Sequence, residues 1–544
     1  MAYLKITVLV WVDILAIYAV STLITYLTDV WKINYTHAAA IVNMFWGFTA
    51  IMPFTMQYIV DTFLGNFSMV FLSNFAYSIG LGFLSMSTPP VLSKIVGNCD
   101  EYKPSCIGKE QKILFYTGLS LLALGVSGHL TSLPKFIEDH KTRDGNNAKL
   151  YFCCGLFAIV LVPLIGAILI PIIKSWSIIF GITTICSVLA TIIFLTGITT
   201  YQRDKARGSP LTIVFRVLIA SAFKSFQKSP EDASQLYEHQ QNNGISYKIS
   251  HTHRLRCLDK AAIVLPNQSQ HNVNMWRVCS VTEVEETKTI ICMIPMCTTF
   301  FLLGVVSSIG NTYFLEQANH MNQKIGNISV PLTTLVFFRD HAKAQFGKCY
   351  VRIASSYGSS SNIRYSARIG IAVSMIFAVN CCITAAKVEN KRLDVVNNHG
   401  LLYKPKDKIP MSMFWLLPQF LLLGGLDGIS KKSIELFVTN QGPASMDRYM
   451  THFAMAVFGV GTMGSVVSVC LVDKISSIGE SHNSWFQDTL NRSRLDKYYW
   501  VLATLSAANF VLYILLAVLY DSKYLRTDEQ QMSKSNQSME YGDD

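Results

Sequence analysis

The sequence predicts an all-α membrane protein built as two bundles of six helices, and three observations carry that prediction. Of its 544 residues, 51% are hydrophobic and only 15% charged, giving a mean hydropathy of +0.32. Apolar runs recur at membrane length, since a hydrocarbon core of about 30 Å takes about 20 helical residues. The runs form two sets, at about residues 5–200 and 287–520, around a stretch at 201–288 rich in Lys, Arg, Gln and Ser. Six spans, a polar loop and six more spans is the sequence shape of a two-bundle secondary transporter.

The first half supplies apolar windows at 5–27, 38–60, 67–86, 113–133, 151–173 and 177–200. The second supplies 290–309, 367–386, 414–438, 450–471 and 498–520. One window is poor: 330–338 is apolar, but Arg339, Asp340, His341 and Lys343 follow at once. It counts as the eighth span because the termini would otherwise lie on opposite sides, which makes about twelve. The expected organisation is an N-terminal bundle at 1–200, a central loop at 201–288, a C-terminal bundle at 289–520 and a disordered polar tail at 521–544. Within the loop, 209–226 alternates Arg216 and Lys224 with Val214, Val217 and Ile219, the pattern of a helix lying on the membrane surface; 227–250 reads as a flexible linker. Pro163 and Pro171 mark kink or end positions in the fifth span. The first span is membrane-length, lacks a small-residue cleavage site and runs on into further spans, so no cleavable signal peptide is expected.

Lys and Arg concentrate in the central loop, which places that loop and both termini in the cytoplasm. The segment 387–408 is also basic and dissents. Glycosylation sequons begin at Asn34 and Asn327 on the outer side, and others begin at Asn66, Asn267 and Asn536 on inner segments. Plasma membrane and vacuolar membrane both remain open. The net charge of +11 is spread over loops, which points to lipid headgroups and not to nucleic acid. Thirteen cysteines show no metal-binding spacing; Cys153, Cys154, Cys381 and Cys382 fall in apolar spans as small core residues. Cys99 and Cys106 share the outer loop between the third and fourth spans and are candidates for a disulfide. No nucleophile–base spacing, metal cluster or phosphate loop marks an enzyme. Gly459-Val-Gly-Thr-Met-Gly464 fits a dinucleotide pattern but lies inside a span, where small residues serve close helix packing.

Several runs occur in a fixed order: Tyr201-Gln-Arg, Gly208-Ser-Pro-Leu-Thr212, Arg216-Val-Leu-Ile-Ala220, Arg256-Cys-Leu-Asp-Lys-Ala-Ala-Ile263, Trp276-Arg-Val-Cys-Ser-Val-Thr-Glu-Val-Glu-Glu286, Phe414-Trp-Leu-Leu-Pro-Gln-Phe420 and Leu495-Asp-Lys-Tyr-Tyr-Trp500. Together they resemble the plant nitrate transporter/peptide transporter family, within the proton-dependent oligopeptide transporters. The resemblance covers nearly the whole chain. It implies a major facilitator fold with a central cavity, and alternating-access transport of a small solute such as nitrate, a peptide, a glucosinolate or a hormone. The inward proton gradient would supply the energy by symport, with no cofactor.

The resemblance also selects candidate site residues and shows where the chain departs. Asp61-Thr-Phe-Leu-Gly65 matches the superfamily's gating loop, with Asp61 as latch and Gly65 for the turn, but Asn66 stands where a basic residue is usual. The first span lacks the usual Glu-x-x-Glu-Arg, leaving Asp13 as its ionisable residue, and Leu130 replaces the cavity lysine of the fourth span beside His129. An Asp within an apolar helix is costly unless it lines water or meets a partner, and imidazole titrates near physiological pH. Asp13 and His129 are therefore candidates for a proton relay. In the tenth span Asp427 matches the family's acidic position; Lys431, four residues on, either neutralises it, or Lys431 or Lys432 lends the cavity positive potential for an anion. Glu316 and Gln317 match an outer motif of the seventh span and are candidate gate or solute contacts. No histidine lies between 290 and 316, where nitrate-selective relatives can carry one. A carrier without proton coupling, working as facilitator or exporter, and a transport-deficient solute sensor or scaffold remain alternatives.

Overall fold

The computed structural model describes residues 2–88, 108–143, 148–173, 175–204, 206, 208–227, 252, 255–263, 276–356, 360–478 and 484–540. Helix α1 (Ala2–Ser21) continues through α2 (Leu23–Asp29) as one crossing. Helix α3 (Tyr35–Ile59) starts at Asn34, whose side-chain oxygen accepts from the Thr36 amide at 3.1 Å. A π-turn at Val60–Leu64 then leads to Gly65, whose φ of 74° a side-chain-bearing residue adopts only with strain, and α4 (Gly65–Met86) begins. The stretch Tyr35–Met86 is 52 residues long, far beyond one bilayer, and α3 and α4 both pack along α5 (Lys109–Arg143). They are therefore two crossings folded back at the predicted gate loop.

The fifth crossing is built from α6 (Ala148–Leu156), α7 (Val162–Leu164), two π-turns and a 3-10 turn; Pro163 and Pro171 sit where the helical pitch changes. Helix α8 (Trp176–Leu195) completes the first bundle. In the central loop α9 (Leu211–Phe223) buries Val217 and Ala220 against Leu258 of α10 (Arg256–Asp259), Ala261 and Ala262. Arg216 donates to both Glu283 oxygens at 2.9 Å, and the Lys224 ammonium donates to the carbonyls of Ala261 and Ile263 at 3.1 and 2.7 Å. Burial pushes Lys224 below the usual lysine range. Phe215 and Phe223 remain exposed, away from the buried Val217 and Ala220.

Helix α11 (Val281–Thr298) opens with a capping box between Ser280 and Glu283, and is bent by 41° from the segment Phe300–His320, which holds α12 (Phe300–Ser308) and α13 (Tyr313–His320). Short strand β1 (Met321–Asn322) is followed by a hairpin of β2 (Lys324–Ile325) and β3 (Ile328–Ser329) that leaves Asn327 exposed at its tip. Helices α14 (Thr333–Ser356) and α15 (Ser360–Asn398) lead to β4 (Ile409–Ser412), which pairs in parallel with β1. Helices α16 (Leu417–Gln441), α17 (Asp447–Ser477) and α18 (Leu495–Glu540) finish the chain.

Among the described residues, nine helices are long and apolar enough to cross a membrane, or ten with the bent pair as one span. Dividing Tyr35–Met86 at Gly65 adds one, and α14 adds the predicted weak eighth span, which packs between α16 and the fifth crossing despite its charges. The path then alternates with both termini at one end, called the terminal end below.

Two expectations change. The tail predicted to be disordered continues α18 as helix through Glu540, because no Pro or Gly interrupts 521–540 and a helix already nucleated in the membrane extends at little cost. The dissenting basic segment 387–408 is mostly helix, and several of its charges are satisfied internally: Arg392 is fully buried on Glu389, Lys391 lies 3.3 Å over the Trp415 ring, and Lys408 donates to the Asn319 carbonyl. Such charges say little about topology. The disulfide candidates Cys99 and Cys106, and most of the linker at 227–250, lie outside the described residues.

Candidate solute pathway and gates

Asp13 and His129 meet. Each lies near the middle of its helix, α1 and α5, and His129 Nδ1 stands 2.9 and 3.0 Å from the two Asp13 oxygens. The approach depends on small residues. A Cβ at Gly125 would press on the Tyr77 backbone at 2.7 Å, and one at Gly128 would collide with the Ser73 side chain, so α4 and α5 run close together. That contact lays Tyr77 on the His129 ring, with centroids 5.3 Å apart and planes at 19°. The histidine side chain is 4% exposed and Asp13 is 21% exposed. His129 Nε2 is buried without a hydrogen-bond partner. With Nδ1–H donated to the carboxylate, Nε2 is left as the acceptor position of the ring. Leu130 is 51% exposed and brings no charge.

Asp427 lies near the middle of α16 and accepts from the Ser307 hydroxyl at 2.7 Å. Among the described residues Lys431 makes no ion pair with it, so the neutralising partnership envisaged from their spacing is corrected: Ser307 donates the hydrogen bond, and Arg339 supplies the facing positive charge. Sequence reasoning treated Arg339 and Asp340 as spoiling a span. They instead turn inward: Arg339 is 8% exposed, donates to Asn311 Oδ1, and holds Asp340 Oδ1 at 3.0 and 3.1 Å beside Tyr18 of α1. The signal was available, because charge in a marginal span is cheapest when turned to the interior.

Asp61, the candidate latch residue, lies at the terminal end and is hydrogen-bonded from both bundles. Gln57 Nε2 donates to both its oxygens at 3.0 Å, and Tyr449 of α17 donates across the bundle interface at 2.7 Å. Ser209 lies 2.6 Å from the same Tyr449 hydroxyl. Neutral donors thus replace the usual basic residue; the Asn66 side-chain oxygen is buried and unpartnered. Tyr449 was missed because nothing in its sequence context separates a gate tyrosine from a core one.

At the opposite end Glu316 is 2% exposed and accepts from Thr28 of α2 at 3.1 Å, with His320 Nε2 at 3.2 Å. Asn319 donates to both Asp29 oxygens at 3.1 Å, a second bond between bundles. Gln317 differs from expectation. Its amide is turned within the C-terminal bundle and donates to Glu389 at 2.6 Å, joining the Glu389–Arg392 pair that also binds Asn491 at 2.9 Å. One residue along a helix turns the side chain by about 100°, so only one of the neighbours faces the partner bundle. Among the described residues, no cluster of three His, Cys, Asp or Glu side chains has metal-holding geometry.

The seam between bundles is α17 against α3, while α12 packs on α17 within the C-terminal bundle. A Cβ at Gly459 would lie 2.8 Å from the Gly47 carbonyl, and one at Gly461 would overlap the Phe301 carbonyl, as the helix-packing reading of the glycine run requires. Asn43 donates to Ser465 at 2.8 Å in the same seam.

Comparison with known proteins agrees with this architecture. The profile of the POT family, PTR2, matches residues 67–486. Among curated proteins, Protein NRT1/PTR family 5.5 of Arabidopsis thaliana is 40% identical over 524 residues, covering 94% of this chain and 96% of the relative. Protein NRT1/PTR family 8.3 of the same plant is 30% identical, covering 94% and 89%. Of the solved structures, an auto-inhibited POT family peptide transporter superposes with a TM-score of 0.64 at 16% identity, covering 96% and 97% of the two chains. The POT family transporter PepTSo gives 0.60 at 14%, covering 96% and 98%. At these identities the structural likeness concerns the fold.

Proposed function

The chain belongs to the POT family, whose members are membrane transporters and not enzymes, and on that premise we propose that it moves a small solute by alternating access, coupled to protons through the Asp13–His129 pair. The observation that supports this most strongly is the mid-membrane dyad with an open ring nitrogen. Without an added proton the dyad carries a net negative charge, and enclosing an uncompensated carboxylate in a closed interior costs several kcal/mol. A proton on His129 Nε2 gives an imidazolium facing the carboxylate and brings the pair to neutrality. Closure of the cavity then favours the proton-loaded state, and re-opening to the other side releases the proton. The dyad takes over the task of the charges missing from the first and fourth spans.

The gates fit the cycle. The Asp61–Tyr449 bond closes the terminal end, while Glu316–Thr28 and Asn319–Asp29 close the other. Rocking exchanges one set for the other about the glycine seam of α3 and α17. We place the termini in the cytoplasm, because Lys and Arg concentrate in the central loop at the terminal end while the sequon residue Asn327 is exposed at the opposite one. The test is uptake into proteoliposomes of nitrate, a dipeptide and carboxylated plant metabolites, at external pH 5.5 and 7.5. Acid stimulation is expected in the wild type and absent from Asp13→Asn and His129→Gln. Equal stimulation in both variants would remove the dyad from the mechanism.

A further inference from the structure

Resting on the transporter reading, we infer that Lys343 and Lys431 form a binding site for the oxyanion group of the solute, in the half of the cavity nearer the terminal end. The two lysines are brought together by glycines. A Cβ at Gly424 would press on the Arg339 carbonyl, and one at Gly428 would overlap the Lys343 carbonyl, so α14 and α16 cross almost backbone to backbone. Lys343 lies one turn from Arg339 on α14, and Lys431 one turn from Asp427 on α16, so both point along the face that holds those interior groups. Lys431 keeps accessible surface although it stands deep in a membrane-spanning helix and is closely surrounded by protein; the charges of Lys343 and Lys432 act on it, and its own acts on His452 of α17. An exposed ammonium surrounded by interior groups lines water and not lipid.

Among the described residues Glu435 is the carboxylate whose charge reaches Lys431, and it does so without contact, being paired with Lys432. Asp427 is bonded to Ser307 and faced by Arg339; Asp340 is held by Arg339; Asp61 is held by Gln57 and Tyr449; Glu435 is paired with Lys432 at 2.9 Å. Arg448 adds further positive charge beside His452. Among the described residues neither Lys343 nor Lys431 has a carboxylate within salt-bridge distance. Two like charges held in a low-dielectric cleft raise the local potential and concentrate anions there. A carboxylate or an inorganic oxyanion supplies the missing countercharge.

The test is calorimetric titration of the full chain in lipid nanodiscs with sodium nitrate, sodium succinate and zwitterionic diglycine. Succinate or nitrate should bind the wild type, and affinity should fall by about tenfold or more in Lys343→Gln and Lys431→Gln. Lys343→Arg, Lys431→Arg and Lys432→Gln should retain it. Binding of nitrate alone identifies an inorganic anion; binding of succinate identifies an organic carboxylate. Removing one of two repelling charges does not threaten folding, so loss of binding in the glutamine variants reports on the site. No anion binding to the wild type, or equal binding in both glutamine variants, overturns the inference. Proteoliposome flux separates the two claims: diglycine uptake without anion binding sinks this site but keeps the transporter, whereas anion binding without any solute flux keeps the site and sinks transport.

Discussion

A buried carboxylate needs donors, and in this molecule the donor's location tells what the carboxylate does. Asp61 and Glu316 take hydrogen bonds from the other bundle, from Tyr449 and Thr28, the arrangement the proposed gates require. Glu389 takes its bonds from Gln317 and Arg392 within its own bundle and so acts as scaffold. Hydrogen bonds to a charged group contribute about 1.5–3 kcal/mol. Asp61→Ala should therefore weaken closure of the terminal end by about that amount. Spin-label distances between Phe63 and Thr439, both exposed near that end, should show a larger long-distance population; an unchanged distribution would exclude Asp61 from the gate. Arg392→Ala leaves Glu389 buried and unpaired, and a loss of about 3–5 kcal/mol is expected, read as a fall in Tm of the purified protein. A variant as stable as wild type would mean that Glu389 is solvated. Asp13, His129 and Asp427 were legible in the sequence because charge in an apolar helix stands out. Their partners were not, since Asp13 and His129 are 116 positions apart and only the fold joins them.

At the scale of elements, the spans follow from hydropathy and their contacts follow from glycine. The windows predicted for α3, α5, α8, α15 and α16 fall on helices, and the glycine run of α17 lies in the seam where close packing was expected. Adding a branched side chain there must push backbone apart. Gly459→Val, whose added carbons meet Ala50 and the Gly47 carbonyl of α3, is expected to cost about 1–3 kcal/mol or more through overpacking, whereas Gly155→Ala, with nothing within 4 Å of the added carbon, should be silent. Thermal unfolding in detergent compares them; equal Tm values would contradict the seam. The weakest prediction was α14, where hydropathy is diluted by Arg339, Asp340 and Lys343. Average hydropathy does not show which face carries the charge, so an inward-facing charged stripe looks like a failed span. The last helix failed for the opposite reason: polarity argued for disorder, yet the chain has no residue that stops a helix before Gly542.

For the whole molecule, two bundles joined by a narrow glycine seam, with hydrogen-bonded contacts at both ends and ionisable groups between them, have the parts that the proposed alternating exposure requires. Bundle number and order were legible because bilayer thickness fixes span length. The geometry of the gates was not, because it depends on pairs drawn from different bundles. The central claim is proton-coupled transport despite the missing charges of the first and fourth spans. It is tested most directly by membrane current in voltage-clamped cells expressing the chain, with a transported solute applied at external pH 5.5 and 7.5. The account predicts a solute-dependent inward current that is larger at pH 5.5 and abolished in the Asp13→Asn, His129→Gln double variant. Solute uptake of equal size at both pH values, with no accompanying pH-dependent current, would contradict it and leave a facilitator.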